Sequence, residues 1–200
     1  MSLKDKRILY LIFTDVIFSI VHLHFIYSWQ LYFTGPAGMD TDTLGILYSL
    51  KSIMGIVAGI VLLKSVRIER GTDRNYFRLS LVSIGGMFLS YALFAGASAV
   101  AIGVIALSIY SLGEAIYFTT YTLLINEVIP SEYRSTILST RMSISASVGV
   151  ALYALIGNIV NALGIEGSFA IMLPVFLLLG AMYADFSPCG KRLKQTLKGC

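Results

Sequence analysis

Four charged side chains stand inside stretches otherwise apolar enough for lipid: Asp15, Lys51, Glu114 and Arg141. An ionisable group in hydrocarbon is costly, so each is expected to have a partner or a task. Asp15 belongs to a stripe with Ser19, His22, Ile26 and Trp29, whose spacing is that of one helix face. Tyr110, Glu114, Tyr117 and Tyr121 share a face by the same rule. With helical rise setting depth, His22 lies roughly 21 Å from Ile8, Glu114 roughly 20 Å from Glu127 and Lys51 roughly 18 Å from Leu63. Asp15 and Arg141 lie shallower, at roughly 10 and 8 Å from the same side.

The chemistry expected of this set is a cavity with a Lys51–Glu114 pair beside His22. Charge on a buried carboxyl is costly and a lysine offsets that cost, so making or breaking the pair couples to proton uptake. Tyr117 and Tyr121 would stack on an aromatic or cationic solute. An inner Asp15–Arg141 pair would act as a gate on the cytoplasmic side. The plainer reading of the same residues is static ion pairs between helices, a neutral packed His22, and tyrosines that fill a core. His24 points about 200° away from His22 around the helix, so the two are not adjacent ligands. No metal spacing, phosphate-binding loop or nucleophile elbow is present, and neither an enzyme nor a cofactor is expected.

The elements that must position these groups follow from composition. The 200 residues are 56% hydrophobic and only 13% charged, about half the charge of a soluble domain. Six apolar segments emerge, at roughly 8–33, 44–63, 77–95, 99–129, 136–162 and 169–186, each near the length that crosses a bilayer. Gly35-Pro36, Asp40 to Asp42, Gly71-Thr72-Asp73, Pro130 and Gly164 to Gly167 separate them, and Pro174 is expected to kink the sixth. The fold expected is an all-α membrane domain over 1–188 with a basic tail over 189–200. Its first helix is read as an uncleaved span ending in the interfacial aromatics Trp29, Tyr32 and Phe33.

Basic residues orient this domain. Thirteen of fifteen Lys and Arg side chains lie before the first segment, around 64–78, at Arg134 or in the tail, all on one side. That asymmetry places both termini in the cytoplasm of a multi-pass cell-membrane protein. It also explains the pI near 9.1 without nucleic acid. Cys189 and Cys200 make no disulfide framework. Segments 1, 2, 4 and 5 carry the internal charges, so they are expected to face a polar interior, and segments 3 and 6 to face lipid. Gly55 and Gly59, and the series Ser139, Ser143, Ser147 and Ala151, suit close helix contact.

The hinge Asn126-Glu127-x-x-Pro130-x-x-x-Arg134-Ser135-Thr136-x-x-Ser139 resembles the junction of the tenth and eleventh helices in major facilitator superfamily transporters, drug-efflux-like members in particular. Trp29-Gln30-Leu31-Tyr32-Phe33 followed by Leu44-Gly45 is similar to the end of that family's seventh helix and the start of its eighth. The loop from Lys64 to Arg78 departs from the family's loop motif, since no Asp-Arg follows Gly59 at the right distance. The resemblance covers nearly the whole chain as a C-terminal half. It implies two inverted three-helix repeats and alternating access about a midplane site, with proton-coupled transport or efflux of a small solute. It also implies a second six-helix unit, as a homodimer or an N-terminal half. A degenerate half without transport activity, accessory or inert, is the alternative. A channel or sensor subunit is a third reading, disfavoured because the charges form no repeated ring.

Overall fold

Long apolar runs with nothing but lipid around them satisfy their backbone only as helices. In a computed structural model the described residues, 6–68, 73–97, 99–129 and 131–197, are almost wholly helical. At 6–7, 64–68, 73–75, 127 and 185–197 the backbone alone is described. Five long helices form: α1 Lys6–Thr34, α2 Leu44–Ile68, α3 Asp73–Gly96, α4 Val100–Val128 and α5 Arg134–Leu197. All five are long and apolar enough to cross a membrane. The expected segments 136–162 and 169–186 therefore lie in one helical run rather than two. The cause is local: of Gly164 to Gly167, Gly164 alone leaves helical angles, at φ 71° and ψ 174°.

That single residue reverses the chain. On the N-terminal limb of α5, Arg141 meets Asp15 and a Cβ added to Gly149 would lie 3.2 Å from Leu23, so the limb runs along α1 in one direction. On the C-terminal limb Phe169 packs on His24 and Phe25, and Tyr10 donates a hydrogen bond to the Met182 carbonyl, so this limb returns in the other. Pro174 keeps helical angles within its limb. Ile129, before Pro130, takes extended angles (φ −87°, ψ 123°) and ends α4, as residues preceding proline do.

The core is aromatic and centres on α1. Phe25 stacks on Tyr110 at 3.4 Å and Phe18 on Tyr117 at 3.9 Å, zipping α1 to α4. Trp29, Tyr32 and Phe33, expected at the interface, are buried: Trp29 meets Tyr48, and Tyr32 and Phe33 meet Phe94. α3 turns Val82 and Leu89 outward and, on its other face, buries Ser80, Ser83, Met87, Ser90 and Tyr91 against α4 and the returning limb of α5. Ser80 shares a hydrogen bond with Thr120 (2.9 Å), and Ser90 donates to the Ala106 carbonyl (2.7 Å). The approach is close because Gly113 has no side chain; a Cβ there would lie 2.8 Å from Met87. α2 is the least covered helix, with Ile46, Ile53, Ile56, Ile60 and Leu63 exposed.

A Cβ on Gly164 meets nothing, so its substitution tests backbone conformation alone. Gly164→Ala is expected to cost about 1–3 kcal/mol, because that region is essentially restricted to glycine. Gly157→Ala, at a helical glycine whose Cβ also meets nothing, is expected to gain about 0.5–1 kcal/mol. Thermal unfolding of the detergent-solubilised protein distinguishes them, and equal effects would refute the assigned reversal.

Candidate functional site

Helical pitch carries three polar side chains from three helices to one point. Glu114 on α4 places Oε1 3.2 Å from His22 Nδ1 on α1 and Oε2 3.1 Å from Lys51 Nζ on α2. The side chains are mostly sheltered, with 13% of Glu114 and 23% of Lys51 exposed. The Lys51 ammonium also lies 5.9 Å over the Phe25 ring. His22 is held by Phe18, stacked at 5.6 Å, and Phe118, edge-on at 5.2 Å. The Tyr110 hydroxyl sits 3.4 Å from the same Nδ1 that faces Glu114. Two groups thus converge on one imidazole nitrogen, which can donate to a carboxylate or accept from a hydroxyl.

The cluster opens outward between α2 and α4. A groove of about 410 Å³ is lined by Tyr48, Lys51, Ser52, Gly55, Ser111, Glu114, Ala115 and Phe118. Its volume falls in the range of small-molecule sites. Both serine hydroxyls are spent on their own helices, Ser52 on the Tyr48 carbonyl and Ser111 on the Leu107 carbonyl. The charged groups of the groove are Lys51 and Glu114.

A second pair lies along the same α1–α4 seam. Arg141 donates from Nε to Asp15 Oδ2 and from Nη2 to Oδ1, both at 2.7 Å, and Ser145 adds a bond to Oδ2 at 3.2 Å. The guanidinium carbon lies 4.6 Å over the Tyr121 ring. Asp15 is 2% exposed, so this is a bidentate pair with its acceptors filled.

Tyr117 and Tyr121, expected to meet a solute, are instead in the core away from the groove. Tyr117 accepts from Tyr183 (3.2 Å) and Tyr121 donates to the Leu11 carbonyl (3.1 Å). At the hinge, Arg134 Nη2 donates to the Asn126 carbonyl (3.0 Å) and the Ile129 carbonyl (3.4 Å), closing the end of α4. Thr136 is exposed, its carbonyl taking the Ser139 and Thr140 hydroxyls. Pro130 and the Glu127 side chain lie outside the described residues, as do the side chains of the basic tail. Tyr110, Phe118 and Phe25 join the site although spacing alone did not single them out as ligands. His24, by contrast, is a satisfied core histidine: Tyr91 donates to the Val21 carbonyl (2.5 Å), leaving its oxygen to accept from Nδ1, and Ser28 faces Nε2.

No protein-family model matches the chain, and no curated protein or solved structure is significantly similar to it.

Removing one member of a buried pair leaves the other charge stranded. Asp15→Ala is expected to cost about 3 kcal/mol, and Asp15→Ala with Arg141→Met clearly less than that. The check is a double-mutant cycle on thermal unfolding. Additive losses would mean that the two side chains do not act as a pair.

Proposed function

We propose that the chain is one half of a membrane transporter of the major facilitator type, moving a small solute by proton-coupled alternating access. The observation that carries this reading is the Lys51–Glu114–His22 cluster, built from three long apolar helices and opening on a groove. Such a cluster facing lipid would leave an ion pair in hydrocarbon. A second six-helix unit laid over α2 and α4 removes that cost and closes the groove into a central cavity. In this reading the two limbs of α5 are separate spans, which gives six crossings with both termini in the cytoplasm. A single span of 54 apolar residues would be far longer than a bilayer is thick.

The arrangement of the two ion pairs supports inverted repeats of three helices. Each of α2 and α5 is preceded by a three-residue turn with an acidic centre, Thr41–Thr43 and Ser131–Tyr133. Each then carries its cation seven residues beyond the helix start, Lys51 after Leu44 and Arg141 after Arg134. Each cation pairs with a carboxylate on the first helix of the other repeat, Lys51 with Glu114 of α4 and Arg141 with Asp15 of α1. Each also lies over an aromatic ring of the remaining first helix, Phe25 and Tyr121. In this reading a twofold axis in the membrane plane would relate the two sets.

The test uses proteoliposomes with a trapped pH reporter. On adding mixed small organic acids, amines and sugars, the wild type is expected to carry protons with its solute. Glu114→Gln is expected to reduce that flux at least about tenfold while inserting normally. Light scattering should give a particle near twice 21.8 kDa. Equal flux in the two proteins, or transport by a strict monomer, would overturn the reading.

A further inference from the structure

We infer that the groove selects a small organic acid of single negative charge with an apolar or aromatic body, bound through Lys51 and exchanged for the Glu114 carboxylate. This rests on the transport reading and names its solute class.

The choice between anion and cation follows from which charge is already saturated. Glu114 has both oxygens engaged, one by His22 and one by Lys51, and is the less exposed partner. A cationic solute would have to evict Lys51, whose ammonium already lies over Phe25. Lys51 is the more exposed partner; it brings three donors, and its one ion-pair contact is to Glu114 Oε2. An incoming carboxylate needs only to take the place of Glu114 on that ammonium. Arg141, the next cation along the seam, is held bidentately by Asp15 and offers no second positive charge. Among the described residues Lys51 is the one cation lining the groove, and a single positive charge selects a monoanion. Phe118, Tyr48, Ala115 and Gly55 provide apolar walls for its body.

Charge balance then couples the solute to a proton. The empty groove holds Lys51 positive and Glu114 negative. A bound monoanion adds one negative charge, and Glu114, stripped of its lysine among apolar walls, neutralises by taking one proton from water. The occupied groove is again neutral, with protonated Lys51, the anion and neutral Glu114. The groups around Glu114 fit either state: His22 from α1, Lys51 from α2 and, through the shared His22 Nδ1, Tyr110 from α4 itself, while the Tyr91 hydroxyl of α3 is turned to the Val21 carbonyl. His22 Nδ1 donates to the carboxylate or accepts from the acid at the same 3.2 Å.

The experiment is calorimetric titration of benzoate into the full chain in nanodiscs, in two buffers of different ionisation heat. Uptake of about one proton per benzoate is expected. Glu114→Gln removes the competitor, so benzoate should bind roughly tenfold tighter and without proton uptake. Lys51→Gln should abolish binding and Lys51→Arg should keep it in part. Gly55→Leu should block binding while folding normally, since a Cβ there meets nothing. Weaker benzoate binding in Glu114→Gln, unchanged binding in Lys51→Gln, or tighter binding of palmitate drawn from the bilayer would overturn the inference. Tetraphenylphosphonium binding that depends on Glu114, with no benzoate binding, would overturn the anionic class and leave the transport reading standing. No binding of either probe, together with proton flux indifferent to Glu114→Gln, would remove both.

Discussion

The constraint on which the rest of the structure depends is the Glu114 carboxylate, sheltered within an apolar helix and 13% exposed. Apolar surroundings do not solvate it, so the fold has to. Each oxygen receives one partner, and the partners come from different helices: His22 on α1 and Lys51 on α2. The aromatic zip between α1 and α4 makes this possible. Phe25 on Tyr110 and Phe18 on Tyr117 fix the register of the two helices, and that register brings His22 level with Glu114. A shift of one residue would turn either face by about 100° and undo the contact.

The two ion pairs of the α1–α4 seam differ in kind. Asp15 and Arg141 make two short parallel bonds, a serine completes the acceptor, and an aromatic ring covers the guanidinium. Arginine's planar fork suits such a fixed arrangement. Lys51 is a point charge on a flexible stem, meets Glu114 through a single contact and borders a groove. The first pair is built to hold, and the second to exchange. The difference lies in residue chemistry as much as in position, since the surroundings are otherwise alike.

Much of this was legible in the sequence because membrane helices convert residue number into depth. Counting from the apolar boundaries put His22, Lys51 and Glu114 on one level and Asp15 with Arg141 on another. What could not be read was which neighbour each face meets. Tyr110, Tyr117 and Tyr121 share one stripe of α4, yet Tyr110 reaches His22 while the other two bond Tyr183 and the Leu11 carbonyl. Periodicity gives a face and not its partner. Charge alone also said nothing of the packed side of α3, which buried hydroxyls at Ser80 and Ser90 mark. The break between the last two segments was placed correctly near Gly164 but imagined too wide, because one residue of positive φ suffices to reverse a helix.

The bundle is held unevenly, and the unevenness falls where function needs it. α3 and α4 meet closely at Gly113, and hydroxyls bridge them. α1 is joined to α4 by stacked rings and to α5 by the filled Asp15–Arg141 pair. Among its described apolar side chains α2 buries only Leu47, Ala58 and Leu62. In lipid, exposed leucine and isoleucine give no drive to associate, so a helix with few packed side chains leans on its other contacts. For α2 these include the ion pair of Lys51 with Glu114 and the edge contact of Tyr48 with Trp29. The ion pair that borders the groove is therefore the one fastening the most loosely packed helix. Under the proposed transport reading, occupancy of the groove and the position of α2 become two readings of one equilibrium.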